Sequence, residues 1–532
     1  MTIAVALLAL AASAIVAVWS WLGTPLEMPP SAVGAGQKVY CVSYAPFRGD
    51  ESPFGPDRPV DPQRIEEDLI QLKQVTDCVR TYSIDHGLDR IAEIAGRHGM
   101  RVLQGMWLSN RRERSRAQIE TAVALANRFP AVIAAVIVGN EVLLRGEMSA
   151  TELIGSIREV KARVSVPVTY ADVWEFWLRH AEVAAAVDFV TIHILPYWED
   201  FPIPAARAAA HVEVIRKRMI AAFPDKEVFI GEFGWPSAGR MREGALPSPS
   251  NQARALQEVL ALARRESYRV NLIEAYDQPW KRQLEGTVGG HWGLYDAYRR
   301  LPKFAWGRPV ADHPGWRWQA AAGVALAITA FAAASAGRGR SAAKTDAGSW
   351  LRVAAIAFAS GSLIGWTAAS VPLESLTFGD WLRSLAWAAA ALLAPVLGAA
   401  ALASGARVPA FAQILGRGAM RPRDGLGWGL GIVLIAVAVL SAAAALGLVF
   451  DPRYRDFPFA PLTGAAIPFA LAASWRLRPK PPPAEAVMSA VLAISAVYIA
   501  FNEGLANWQA QWFALGLILL ALTLLQARDA PG

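Results

Sequence analysis

Eight short apolar runs punctuate residues 39–276, and amphipathic stretches separate most of them. The runs are VYCVSYA (39–45), DCVRTYS (77–83), RVLQGMW (101–107), VIAAVIVG (132–139), VPVTYAD (166–172), VDFVTIHI (187–194), EVFIGEF (227–233) and YRVNLIEAY (268–276). Each has the length and the β-branched and aromatic content of a buried strand. Intervening stretches such as DPQRIEEDLIQLKQV and SATELIGSIREVKARV place apolar residues at helical spacing. The first opens on Asp61-Pro62, an N-cap followed by proline at the first helical position. Strands that alternate with helices specify a parallel sheet, since a crossover helix is what joins parallel neighbours. Eight such units over residues 37–306 predict an α/β domain folded as a (β/α)8 barrel. The rival is a doubly wound open sheet. It usually carries a Gly-rich phosphate loop after its first strand, and here that position reads YAPFRGDESPFG.

The rest of the chain belongs to another solvent. An apolar share of 54% with 18% charge is too greasy for a wholly soluble protein. Segment 3–22 runs 20 residues without a charge, enough to span a bilayer core and long for a signal-peptide core. It reads as an uncleaved signal anchor, a cleaved signal being the alternative, and 23–36 reads as a linker. Seven further apolar segments follow, roughly 318–336, 351–372, 383–403, 427–450, 459–474, 484–501 and 508–526, the fifth and sixth being short. They predict an all-α polytopic membrane domain over 318–526. No ionisable residue lies deep inside any of them, which favours an anchor or scaffold over an active transporter. A conducting groove lined by tryptophan and small residues stays open. Trp350, Trp381, Trp428, Trp475 and Trp508 sit near segment ends, as an interfacial aromatic belt does.

Loop charge gives the orientation. Arg338, Arg340, Lys344 and Arg352 outnumber Asp346 in one loop, and Arg407, Arg417, Arg421 and Arg423 outnumber Asp424 in another. Arg476, Arg478 and Lys480 fill a third. Each of these loops carries +3, while the loops between them are neutral or acidic. Lys/Arg-rich loops stay in the cytoplasm. The pattern predicts eight spans in a bacterial inner membrane, both termini cytoplasmic, and the barrel periplasmic or otherwise extracytoplasmic. These three loops sum to +9 against +7 for the whole chain, so the basic balance reflects topology and offers no argument for nucleic acid binding.

Two strand ends carry the chemistry. Glu141 follows AAVIAAVIVGN, and Glu232 ends KEVFIGE. Two carboxylates at the ends of barrel strands four and seven are the equipment for cleaving a glycosidic bond, one as acid/base and one as nucleophile. Asn140 is placed to bind a sugar 2-hydroxyl, and Trp235 to stack on a sugar ring. Around them, Tyr44, Arg80 and Tyr82 end the first two strands. Asp172 and Trp174 follow the fifth, and His193, Tyr197 and Trp198 the sixth. Glu274, Asp277, Gln278, Trp280 and Lys281 follow the eighth. All are candidates to contact substrate, and Glu274 is the rival for a catalytic carboxylate. Each also has a plainer reading, as a salt bridge, a strand-end cap or core.

Absences narrow the field. The chain has no HExxH, CxxC or GxSxG run and no Walker loop, and no metal or other cofactor is required. Nor does it carry a DxD or QxxRW run. Cys41 and Cys78 lie in neighbouring predicted strands, and their registers suggest opposite faces, which speaks against a bridge.

The runs VGNEVLLR, TIHILPYWED, GEFGWPSAGR, NLIEAYDQPWKR and EGTVGGHWGLYDAYR closely resemble family 17 glycoside hydrolases, and in particular a bacterial membrane-anchored branch that makes or remodels β-glucans. The resemblance covers about residues 38–304 and leaves out the C-terminal membrane segments. It implies a (β/α)8 barrel and a retaining mechanism, with Glu141 as acid/base and Glu232 as nucleophile. The expected function is therefore a retaining glucanosyltransferase acting on β-1,3-glucan. An endo-β-1,3-glucanase is the first alternative, and a non-catalytic glucan-binding transport or scaffold protein the second. Its partners would be a β-glucan chain, the lipid bilayer and a membrane glucan synthase that delivers nascent chain.

Overall fold

The computed structural model describes residues 2–33, 37–55, 58–298, 300–338, 346–416, 425–472, 477 and 480–526. They divide into two compact units. One comprises Leu26–Ala238 and Gly244–Val310, the other Met1–Pro25, Gly239–Glu243 and Ala311–Gly532.

In the first unit eight parallel strands close into a barrel in sequence order. They are β1 (Cys41–Ser43), β2 (Cys78–Arg80), β3 (Arg101–Met106), β4 (Ile133–Asn140), β5 (Val168–Val173), β6 (Val190–His193), β7 (Val228–Phe233) and β8 (Val270–Leu272). Each falls on one of the eight apolar runs, β4 and β5 reaching one residue beyond theirs, so the alternation of strand and helix identified the barrel correctly. The strands are apolar along their length because both faces are covered, one by the barrel interior and one by the helices. Asp61 caps the helix Pro62–Leu72 through its side chain, as the Asp-Pro pair predicts. Ser149 and Glu152 form a reciprocal capping box on Ala150–Lys161.

Cys41 and Cys78 are joined in a disulfide, which corrects the expectation of opposite faces. The register pairs Val42 with Val79, so the preceding residues of the two strands lie side by side on the same face. That face is the barrel interior, where both cysteines pack against Leu103, Ala135, Ile137, Phe189 and Phe229.

The second unit is helical. Among the described residues, seven of its helices are long and apolar enough to cross a membrane: Ile3–Leu22, Trp316–Arg338, Ala347–Glu374, Phe378–Ser404, Gly425–Phe450, Pro483–Asn502 and Trp508–Leu525. The segment near 459–474 forms a 14-residue helix, Phe459–Ala472. At 1.5 Å per residue it covers about 21 Å, less than the roughly 30 Å of a hydrocarbon core. Arg340, Lys344, Arg417, Arg421, Arg423, Asp424, Trp475, Arg476 and Arg478 lie outside the described residues.

Candidate active site

Glu141 and Glu232 meet at the carboxyl-terminal mouth of the barrel, the end where barrel enzymes build their sites. An oxygen of each lies within 4.8 Å of the other and of a ring nitrogen of His193. Glu232 is on β7 and 4% exposed. Glu141 stands one residue beyond β4, in the left-handed region with φ +53°.

Two irregularities in the sheet aim these groups. The β6–β7 register shifts after Ile192, which sets His193 beside Glu232. The β4–β5 register shifts between Ile137 and Asn140. Such bulges redirect side chains at barrel rims. Gly139, with φ +85°, takes the other left-handed position of that turn. At Gly231 a β-carbon would lie 2.3 Å from the Thr191 side chain, so only glycine lets β7 pass there.

Arg80 is the electrostatic centre. Its side chain is buried, and Nη1 donates to Glu232 Oε1 at 2.9 Å and to the Gly231 carbonyl at 2.7 Å. Nη2 donates to Asn140 Oδ1 at 2.5 Å and lies 3.3 Å from His193 Nε2. The guanidinium rests over the Tyr82 ring, 4.7 Å from its centroid. His193 Nδ1 is 2.8 Å from Glu141 Oε1, and its Nε2 is 3.4 Å from Glu232 Oε1. One histidine thus touches both carboxylates. Burial pushes the Glu141 carboxyl up. The His193 hydrogen bond and the charges of His193, Arg145 and Arg80 outweigh that, and hold it below the ordinary glutamate value. Glu141, His193 and Glu232 together offer donor atoms close enough for a metal ion. The Arg80 guanidinium already supplies the positive charge at Glu232, and a divalent cation would be repelled by it.

The other sequence candidates separate into two groups. Asn140, Tyr82 and Arg80 join the carboxylates, and Tyr82 donates to Ser43 Oγ at 3.0 Å. Lys281 pairs with Glu274 Oε1 at 2.5 Å, and Glu274 Oε2, although buried, has no protein partner. Trp198 is partly buried and stacks on Trp292. Trp280 is partly buried and meets Phe54 edge-on at 5.5 Å. Trp174 donates to Glu199.

Six candidates are turned to structural work, contrary to expectation. Tyr44 is 1% exposed and donates to Asp68 Oδ2 at 3.0 Å, on the helix behind the strand. Trp235 is fully buried, donates to the Leu246 carbonyl and packs on Tyr197, so it is core and offers no face to a sugar. Tyr197 is equally buried, among Trp198, Trp235 and Trp292. Asp277 is consumed by Lys303 at 2.5 Å and the Gly293 amide at 2.9 Å. Gln278 bonds the Ala45 and Tyr276 carbonyls and accepts from Trp280. Asp172 is also fully buried, held by Tyr170 and by backbone amides. Burial pushes its carboxyl up to about 6 against the pull of the Tyr170 bond, and the Glu141 charge adds to the rise.

Sequence reasoning passed over Arg145, Tyr170 and Trp107. Arg145 Nη1 donates to the Asn140 carbonyl, Nη2 donates to the Leu108 carbonyl at 2.7 Å, and the guanidinium lies 4.1 Å from the Trp107 centroid. Its position four residues after Glu141, the reach of one helical turn, is the signal that could have found it.

Residues 41–293 match the model of the BtgE/BtgC glycoside hydrolase domain. The barrel is a glycoside hydrolase domain, and the protein is an enzyme acting on glycosidic bonds. Among curated proteins it is similar to a glucan 1,3-beta-glucosidase of Candida albicans, 28% identical over 267 residues, covering 45% of this chain and 85% of that one. It is similar also to a glucan 1,3-beta-glucosidase of Saccharomyces cerevisiae, 25% identical over 258 residues, covering 44% and 82%. Among solved structures, a glycoside hydrolase family 17 beta-1,3-glucanosyltransferase from Rhizomucor miehei is 27% identical with a TM-score of 0.44, covering 50% of this chain and 97% of that one.

Proposed function

We propose that this protein is a membrane-embedded, retaining β-glucan glucanosyltransferase whose barrel faces the extracytoplasmic side. The observation that carries the mechanism is the approach of Glu141 and Glu232 to within 4.8 Å. Retaining enzymes hold their carboxyl groups about 5–5.5 Å apart, and inverting ones about 6.5–9.5 Å, to admit a water. Glu232, oriented by its hydrogen bond from Arg80, attacks the anomeric carbon, and the glycosidic C–O bond breaks as Glu141 gives its proton to the leaving oxygen. In the second half, Glu141 takes a proton from the incoming hydroxyl, whose oxygen displaces Glu232. A sugar hydroxyl gives transfer, branching or ring closure; water gives hydrolysis. Similarity to proteins named beta-glucosidases and to one named a beta-1,3-glucanosyltransferase supports a β-1,3-glucan substrate for either outcome. An endo-β-1,3-glucanase is the second reading; the glucosidase names favour hydrolysis as such and leave the mode of cleavage open.

The test is to incubate the purified full-length protein with a defined laminari-oligosaccharide and analyse product length and linkage. Products longer than the substrate, or branched, support transfer; exclusively shorter ones leave the hydrolase. An inverted first product, read by proton NMR, would reject the retaining mechanism.

Glu141 has to be protonated for the first step, and His193 works against that. Replacing His193 with leucine removes the hydrogen bond that, with the neighbouring charges, depresses the Glu141 pKa. The acid form then persists to higher pH, and the basic limb of kcat/KM is expected to move upward. A limb that stays in place, or moves down, would assign it to another group.

The disulfide supports the proposed orientation, because such bonds persist in oxidising compartments and are rare in the cytosol. So does the charge contrast between the loops that flank Phe459–Ala472: Asp451, Arg453, Arg455 and Asp456 balance on one side, and Arg476, Arg478 and Lys480 stand on the other. That contrast counts the short helix as a crossing. Protein from its native membrane, denatured without reductant, is expected to take up no alkylating agent, and to take up two equivalents after reduction, one at each cysteine. Free thiols before reduction would place the barrel in the cytosol.

A further inference from the structure

We propose that Tyr170 and Asp172 on β5 are positioning residues that hold the Glu141 carboxyl where it meets the leaving-group oxygen. The inference rests on the reading of Glu141 as acid/base.

A glutamate in the left-handed region is uncommon and strained, and it persists only where its surroundings impose it. Glu141 has φ +53° and follows Gly139 at φ +85°, so the chain turns sharply between β4 and the next segment. Three consecutive residues of β5 grip that turn. The Ala171 carbonyl accepts from the Glu141 amide at 2.8 Å. The Tyr170 hydroxyl accepts from the Leu143 amide at 3.0 Å and donates to Asp172 Oδ2. Asp172 Oδ2 also accepts from the Leu144 amide at 3.4 Å, and Oδ1 from the Val173 amide at 2.8 Å. The Arg145 amide returns to the Glu141 carbonyl at 2.9 Å and closes the turn.

Tyr170 is 1% exposed and Asp172 not at all, so neither reaches a bound sugar. Their influence on the reaction passes through Glu141. With the grip lost, residues 141–144 can relax toward an unstrained conformation. The carboxyl then swings off its 2.8 Å contact with His193.

The consequence is selective, which makes it measurable. A sugar alkoxide is a poor leaving group and needs the proton of Glu141, whereas a dinitrophenolate leaves without it. Tyr170→Phe, Asp172→Asn and, as reference, Glu141→Ala are to be compared in the full-length protein. The substrates are a laminari-oligosaccharide and the dinitrophenyl β-glycoside of laminaribiose, with and without azide. General acid catalysis contributes about 10²- to 10⁴-fold, so the two β5 variants are expected to lose about 10- to 100-fold in kcat/KM on the oligosaccharide. On the aryl glycoside they should keep kcat/KM within about 3-fold of the parent, where proton donation is not required. Azide, which needs no general base, should raise aryl glycoside turnover in both.

Equal losses on the two substrates, or no loss on either, would overturn the proposal while leaving Glu141 as acid/base intact. A Glu141→Ala protein that shows no dependence on leaving group would overturn the reading of Glu141 first. Should Asp172→Asn not fold, Tyr170→Phe decides alone, since it keeps the buried ring and removes only the hydroxyl.

Discussion

Replacing Glu232 with glutamine is expected to lower turnover of β-1,3-glucan by about 10⁴- to 10⁶-fold, the range seen when a catalytic nucleophile is removed. The amide keeps the shape of the carboxylate but cannot form the glucosyl ester, so both halves of the reaction fail together. Binding should survive, because the amide keeps the size of the side chain and still forms hydrogen bonds. Laminaritriose affinity, followed by calorimetry, is the control. Activity within about 10-fold of the parent would remove Glu232 from the mechanism. It would also promote Glu274, whose buried Oε2 has no protein partner, as the alternative carboxylate. A fluorinated β-1,3-glucosyl donor that forms a slow ester should label the parent at Glu232, and peptide mass analysis would locate the adduct.

Arg80→Met is expected to damage both stability and activity. The guanidinium is 1% exposed and binds Glu232, Asn140 and a backbone carbonyl at once. Removing one partner of a buried pair costs about 3–5 kcal/mol, because the remaining charge stays desolvated and unpaired. Glu232 and Glu141 would then repel without a cation between them. The protein relieves that by binding a proton or by opening the pocket. The thermal midpoint should fall by several degrees, and kcat should fall by more than KM rises. A fully stable and active Arg80→Met protein would show that the ion network is ornamental to the reaction.

The barrel and its two glutamates were legible because they depend on local pattern. Strand runs such as VIAAVIVG announce burial on both faces, and a carboxylate directly after such a run has nowhere to sit but the barrel rim. The same reasoning misjudged Trp235, Tyr44, Tyr197, Asp172, Asp277 and Gln278. Each lies at or just past a strand end, within a few residues of groups that do enter the site, and nothing in their spacing says which way they turn. Trp235 faces Leu246 and Tyr197, whereas Glu232, three residues earlier, faces Arg80. An odd spacing turns the two to opposite sides of an extended chain, and the register shift before Glu232 sets which side each takes.

What the sequence determined by itself is the set of elements: strands and helices in alternation, apolar segments of membrane length, and acidic residues at two strand ends. These follow from periodicity and hydropathy, which any window of residues carries within it. What tertiary structure alone decided is partnership. Cys41 faces Cys78 because Val42 pairs with Val79. Arg80 reaches strands four, six and seven because the barrel closes. Glu141 points inward because β5, a separate strand, grips its turn. Each is a contact between residues distant along the chain, and closure of the sheet is the physical event that brings them together.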